Sequence, residues 1–549
     1  MVSAALTLSR PLRVLSVASE MFPFVKTGGL GDVIASLPAA LAPHGVETRT
    51  LLPGYPAVLA AMRSVPHQPI PLGDVLGHEA LLWTCRIDDR DLLVLDIPEF
   101  YQRPGNPYVT SKGGDWHDNS LRFAALARAA AFVAQGYITG YHPDIMQLHD
   151  WQAGLAAAYL HYDGDDICRA NGMNRRPRVI QTIHNLAFHG SFPLSEIPAL
   201  GLPPQAASVD GCEFYGHLSF LKAGLYFSDW ITTVSPTYAQ EIQGHEWGMG
   251  FDGLLRTRSN TLSGILNGID TEVWNPACDP CIHFPYVVGD TISRPFNKLA
   301  LQAEFGLPQD RNAFLIGLVS RLTPQKGVDL LPDIMERLLV GNTQIIVVGE
   351  GERRLHHTLS ALQRRFPRAF ACRIGYSEEL GHRLPSAVDA LLVPSRFEPC
   401  GLTQLCALRY GAIPIVSRVG GLADTVVDAN EAAIGQGVAT GFLFSPVDGP
   451  SLANAVGRAR HLFRDNRSAW MRLQRNGATT DVSWHGKSSQ YVRLFSKLSG
   501  VEIVDPTDSS VVRFSSAPRF DSPHGAHSLK KRQIARKPGI QPSSIRTSA

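Results

Sequence analysis

No apolar run in the 549 residues reaches the ~18–20 that a membrane-crossing helix requires, so a membrane protein is not expected. The first ten residues hold one basic side chain, Arg10, and no apolar stretch, which argues against a secretory leader. Cysteine is sparse. Eight cysteines cannot staple a chain of this length, and free thiols in a reducing cytoplasm follow. Cys278-Asp-Pro-Cys281 has no second pair to complete a zinc set and lacks the strand-to-helix setting of a redox motif. Charge is also modest, at 18% of residues with a net of +2, which argues against a polyanion such as nucleic acid as the main partner. Lysine is the scarcer cation, ten of the 51 basic residues, so Lys26 and Lys326 stand out in their glycine-flanked turns.

What is present is a globular composition, 44% hydrophobic, in a chain long enough for two to four domains. The first half alternates apolar runs with helical patterns. Residues 12–18 form the first run, and Gly28-Gly29 opens a helix striped by Leu30, Val33, Ile34, Leu37 and Leu41, one face of a helix. Further strands are expected at 46–52, 92–95, 145–148, 179–182 and 230–234, with an alanine-rich helix over 120–135. The second half repeats the rhythm, with strands expected at 314–320, 344–348, 371–375, 390–393 and 413–416. Such alternation specifies an α/β protein with doubly wound parallel sheets. Gly28-Gly-Leu-Gly-Asp32 is echoed by Gly420-Gly-Leu-Ala-Asp424 at a matching strand-to-helix turn, which favours two Rossmann-like domains.

The chemistry-bearing residues fall at strand-to-helix turns, where open α/β sheets bind ligands and helix N-termini suit phosphate. Ser395-Arg-Phe-Glu-Pro-Cys-Gly-Leu-Thr-Gln404 places Glu398 in one such turn, with Leu402 and Thr403 at the mouth of the following helix. Ser320-Arg-Leu-Thr-Pro-Gln-Lys-Gly327, expected to lead into a helix over 328–339, puts Arg321 and Lys326 in one loop. Two cations there suit a diphosphate, to which arginine offers a planar fork and lysine a point charge. His149-Asp-Trp-Gln152 and Thr182-Ile-His-Asn185 each follow an expected strand of one sheet and point to a shared cleft.

In this order and spacing these segments resemble the bacterial glycogen synthases and plant starch synthases of glycosyltransferase family five. Lys26-Thr-Gly-Gly-Leu, Phe220-Leu-Lys-Ala-Gly-Leu-Tyr, Thr233-Val-Ser-Pro-Thr-Tyr and Leu266-Asn-Gly-Ile-Asp belong to the same resemblance, which covers residues 11–498. It implies a GT-B fold, two Rossmann-like domains facing across a deep cleft. It implies a hexosyltransferase that moves glucose from ADP-glucose to the non-reducing 4-hydroxyl of an α-1,4-glucan with retention, without metal or other cofactor. Glu398, Arg321, Lys326 and His184 match the catalytic positions. Lys26, Gly28, Gly29, Asp32, Tyr376, Leu402 and Thr403 match the ADP-glucose site, and His149, Asp150 and Asn185 are assigned to sugar or acceptor. Two positions depart from the family pattern: Gln152 stands where a histidine is usual, and Gly31 where alanine is common.

The implied organisation is an acceptor-side domain over 11–265, a hinge over 266–280, a donor-side domain over 281–480 and a terminal helix over 481–499 that crosses back. Residues 500–549 turn to Ser, Pro and basic side chains and are expected to be disordered. A related transferase with another donor, a nucleotide-sugar epimerase and a non-catalytic glucan-binding relative remain as alternatives. The Lys26 turn and the Glu398 run argue against the first. The filled charged positions argue against the last.

Overall fold

The fold is built on two large, mainly parallel sheets whose central strands are buried on both faces. The structure, a computed structural model, describes residues 6–110, 113–173, 175–290, 292–375 and 377–504, so Tyr376 and most of the basic tail lie outside the described residues. The first sheet has nine strands. In spatial order they are Leu262–Gly264, Trp230–Thr233, Arg178–Ile183, Ile145–His149, Leu12–Val17, Val46–Pro53, Arg90–Asp96, His78–Ile87 and His67–Val75. The first seven run parallel, while the last two join antiparallel at one edge. Near-continuous burial along Leu12–Val17 and Ile145–His149 is what a strand covered by helices on both faces requires.

The edge hairpin is not legible from the pattern. Pro69, Pro71 and Gly73 within His67–Val75 read as a loop, yet an edge strand tolerates them, and the register slips between Pro71 and Gly73.

The second sheet has six strands, all parallel, in the order Phe370–Ile374, Thr343–Gly349, Phe314–Val319, Ala390–Val393, Ile413–Ser417 and Phe442–Phe444. One helix differs from expectation. In place of a helix from Val328 the chain makes two short 3-10 turns, Pro324–Lys326 and Val328–Leu330, and the α-helix is Leu331–Leu338. Pro332 sits in its first turn, where the missing N–H costs nothing, and that fixes the start.

Both sheets belong to one compact unit ending at Asp505. The helix His485–Ser499 packs across helix Gly29–Leu41, with Tyr491, Val492 and Phe495 buried among Val33, Leu37 and Leu41. Trp484 Nε1 donates to Ser36 Oγ at 2.8 Å, and the crossing segments meet where Ile269 N donates to the Val482 carbonyl at 2.9 Å. Order runs past the compositional break at Gly500. Val501 is buried, and Ile503–Val504 pairs antiparallel with Thr7–Leu8, because a short apolar stretch finds an open backbone edge there. No helix among the described residues is long and apolar enough to cross a membrane.

Candidate active site

The loops at the carboxyl ends of the two sheets face and touch one another. A Cβ on Gly29 would lie 3.2 Å from Leu402 Cδ1, so the helix mouth of the first sheet abuts that of the second. Thr237 donates to Asp424 twice, from its backbone N–H at 2.9 Å and its hydroxyl at 2.6 Å. Gly420 N donates to Glu241 Oε1 at 2.9 Å. The Trp247 and Phe397 rings lie 5.6 Å apart, and the Arg321 guanidinium sits 5.8 Å from the Phe188 ring centre.

On the second-sheet side Glu398 is buried, with Lys326 Nζ 2.6 Å and Ser395 Oγ 2.8 Å from its Oε2. Two glycines make this approach possible. Gly327, at φ +68°, leaves a Cβ position only 2.0 Å from the Pro394 carbonyl oxygen, and Gly420, at φ +40°, leaves one 2.0 Å from that of Glu398. A side chain at either would be strained in conformation and collide with backbone. Arg321, four residues from Gln325 and 3.4 Å from its Oε1, is exposed. Of the two cations expected to meet a diphosphate, Lys326 is thus already matched by Glu398, whereas Arg321 makes no ion pair among the described residues.

On the first-sheet side Lys26 Nζ lies 2.9 Å from Asp32 Oδ1 and 3.0 and 3.1 Å from the two oxygens of Glu378. Burial acts to lower the Lys26 pKa, but Asp32 and Glu378 outweigh it and the net shift is upward. At Asp32 burial wins instead, raising its pKa to about 6 against the pull of Lys26. The turn itself is held by Glu20, whose Oε2 accepts Thr27 N at 2.6 Å and whose Oε1 accepts the Thr27 and Tyr108 hydroxyls, each at 2.5 Å.

Beside it, His149 Nδ1 lies 2.9 Å from His184 Nε2, and His149 Nε2 lies 3.1 Å from Ser16 Oγ. Burial pushes His184 down to about 3 and holds His149 well below its usual value, so both rings are neutral and one donates to the other. Asp150 is in the left-handed region at φ +56°. Its Oδ1 accepts the amides of His184 at 2.7 Å and Asn185 at 3.3 Å. Burial raises its pKa to about 7 against those two hydrogen bonds. Gln152, the departure from the family pattern, is buried, and its Oε1 has no hydrogen-bond partner among the described residues.

The structure thus gathers the sequence-expected residues into three sets. His149, Asp150, His184 and Asn185 form one, Lys326 and Glu398 a second, and Lys26 with Asp32 a third, while Gly28, Gly29, Leu402 and Thr403 line the two helix mouths. Glu20, Glu378, Thr237 and Asp424 complete the contacts and were not legible as site residues. Of these, Thr237 and Asp424 fall in segments already singled out, while Glu20, three residues past the strand Leu12–Val17, and Glu378 do not. Asp279, Cys281 and His382 approach one another closely enough for a cation. Asp279, however, already accepts hydrogen bonds from Tyr410, the Cys281 amide and the His382 ring. All eight cysteines are unpaired.

Residues 13–257 match the starch synthase catalytic domain, and residues 301–468 match glycosyl transferases group 1. A glycogen synthase of Rhodopseudomonas palustris strain HaA2 is 52% identical over 487 residues, 89% of this chain and 99% of its own. One from Methylocella silvestris is 51% identical over 490 residues, covering 89% and 99%. Among solved structures, the catalytic domain of starch synthase IV from Arabidopsis thaliana, bound to ADP and acarbose, superposes with a TM-score of 0.80. It is 30% identical and covers 89% of this chain and 100% of its own. Two parallel sheets meeting at their carboxyl ends, with these relatives along nearly the whole length, mean that the chain belongs to the glycogen and starch synthase family of GT-B glycosyltransferases.

Proposed function

We propose that the protein elongates an α-1,4-glucan in the cytoplasm, transferring glucose from ADP-glucose to the non-reducing 4-hydroxyl with retention at the anomeric carbon. Residues 11–265 serve as the acceptor side and 281–480 as the donor side, with 266–280 as hinge and 481–499 tying the halves together. What supports this reading is that Lys26, Arg321 and Lys326 all lie in loops at the carboxyl ends of the two sheets, which meet where Gly29 abuts Leu402 and Thr237 bonds Asp424. Such a site neutralises a departing diphosphate with fixed charges and dipoles.

In the reaction the bond from the anomeric carbon to the phosphate oxygen breaks and its electron pair leaves on ADP. A bond to the acceptor oxygen forms on the same face, and the acceptor hydroxyl's proton passes to the departing phosphate oxygen. Arg321 and Lys326 stabilise the charge developing on the diphosphate, assisted by Lys26 and the amides at Gly28, Gly29 and Thr403. Glu398, held by Ser395 and Lys326, orients glucose hydroxyls. Neutral His184, fixed by His149 and the Asp150 loop, can donate or accept a hydrogen bond beside the ring without adding charge. Tyr376 is assigned to the adenine base on the family resemblance alone, and Asp32 orients Lys26. Asn185 is assigned to the acceptor.

The test is incorporation of labelled glucose into glycogen from ADP-glucose, with UDP-glucose alongside. Incorporation from neither donor, by a folded protein, overturns the reading.

A further inference from the structure

Lys26 carries three N–H donors, and three carboxylate oxygens already stand around it. Asp32 Oδ1 is at 2.9 Å, and Glu378 Oε1 and Oε2 are at 3.0 and 3.1 Å. Two carboxylates around one ammonium leave the cluster net negative, so an anionic ligand reaches Lys26 only by taking the place of one of them. Asp32 lies on helix Gly29–Leu41, which directly follows the Lys26 turn, and moves with it. Glu378 comes from the other sheet, in the first turn of helix Glu378–Ala387, whose N-cap Ser377 accepts Leu380 N at 3.3 Å. Of the two, Glu378 is the partner that relative movement of the sheets can withdraw.

Glu378 is also backed from behind. One helical turn on, His382 Nε2 approaches Glu378 Oε1 to 3.9 Å. The His382 ring lies flat on Trp274, centres 3.8 Å apart at 6°, and its Nδ1 is 2.8 Å from Asp279 Oδ2. Trp274 and Asp279 both lie in the stretch between the last strand of the first sheet, Leu262–Gly264, and the first of the second, Phe314–Val319. The carboxylate that grips Lys26 is thus seated against the link on which the two sheets would move.

We propose that Glu378 is a positioning residue that holds the place of the donor's diphosphate at Lys26. Without donor it keeps Lys26 directed across the cleft. On binding, the diphosphate displaces it and takes over the ammonium. The inference rests on the reading that Lys26 meets the diphosphate, and it adds a competitor, built into the opposite sheet, that sets donor affinity.

The test measures ADP binding by calorimetry on the full chain and three variants, Glu378→Gln, Lys26→Met and the double substitution. Glutamine keeps the shape and the helix start but removes the competing charge, so Glu378→Gln should bind ADP about tenfold more tightly, the scale of relieving a like-charge contact. Its KM for ADP-glucose should fall by more than its kcat changes. Lys26→Met should weaken ADP binding, and adding Glu378→Gln to it should change nothing further. Unchanged or weaker ADP binding by Glu378→Gln, while Lys26→Met still weakens it, overturns the placeholder role alone. Unaltered ADP binding by Lys26→Met overturns the assignment of Lys26 to the diphosphate, and the inference with it.

Discussion

Lys326 Nζ stands 2.6 Å from Glu398 Oε2, joining two strand-to-helix loops whose residues are 72 apart in the chain. The pair is largely sequestered, with side-chain exposures of 17% and 9%. One bond therefore serves both the site's charge and the loop's stability.

Lys326→Ala should accordingly lower kcat by ~10²–10³, the scale for one transition-state electrostatic donor. It should also lower the melting temperature, because an unpaired buried carboxylate costs about 1–3 kcal/mol. Adding Glu398→Gln should restore stability but not turnover. Arg321→Ala, at an exposed position, should lose kcat on the same scale while stability stays within about 0.5 kcal/mol. Calorimetry beside steady-state kinetics separates the two. Near wild-type turnover in both single variants would place the diphosphate elsewhere.

His184 titrates near 3 when folded, against an ordinary value of 6.5. A depressed pKa contributes stability that is present above 6.5 and is lost as pH falls toward the folded value. Denaturant unfolding between pH 7 and pH 4 should therefore show a steeper loss for the wild type than for His184→Gln. Equal slopes would mean that the ring is solvated rather than buried.

Asp150 acts through the two amides it accepts from His184 and Asn185. Asn keeps an acceptor oxygen at that point, whereas Ala leaves both N–H groups without one. Asp150→Asn should retain most activity, and Asp150→Ala should lose stability by about 1–3 kcal/mol. Equal damage from both, measured by kcat/KM and melting temperature, would assign the charge itself a role.

Phe495 is wholly buried between the terminal helix and the first sheet's helices. Its truncation to Ala should cost about 3–5 kcal/mol, the usual price of a large core cavity. Urea unfolding followed by near-ultraviolet dichroism measures this. A loss below 1 kcal/mol would show that the helix contributes little to the first sheet's stability.

Fixed cations are assigned the work that a divalent metal would do on a diphosphate. Activity should accordingly survive EDTA. A loss restored only by Mg²⁺ or Mn²⁺ would contradict that assignment.

Much of this protein is written locally. Parallel strands buried on both faces must be short apolar runs, so the runs at 12–18, 145–148, 314–320 and 390–393 disclose themselves, as does the leucine and valine stripe of the helix after Gly29. The turns that carry Lys26, His149, His184, Arg321, Lys326 and Glu398 are equally legible, because each polar motif directly follows such a run. The hairpin over 67–87 escapes, since an edge strand carries prolines that read as loop.

What one chain position does to another far away is a different matter. Glu378 looks like a helix-start carboxylate until folding brings it 352 residues back along the chain to Lys26. The Thr237–Asp424 clasp and the matching of Lys326 by Glu398 have the same character. The sequence by itself determined the two sheets, the helix mouths and the cations on them, because period and turn chemistry are short-range. Only the tertiary structure decided which cations are already neutralised and by whom, because charge pairing depends on distance in space and is indifferent to distance along the chain.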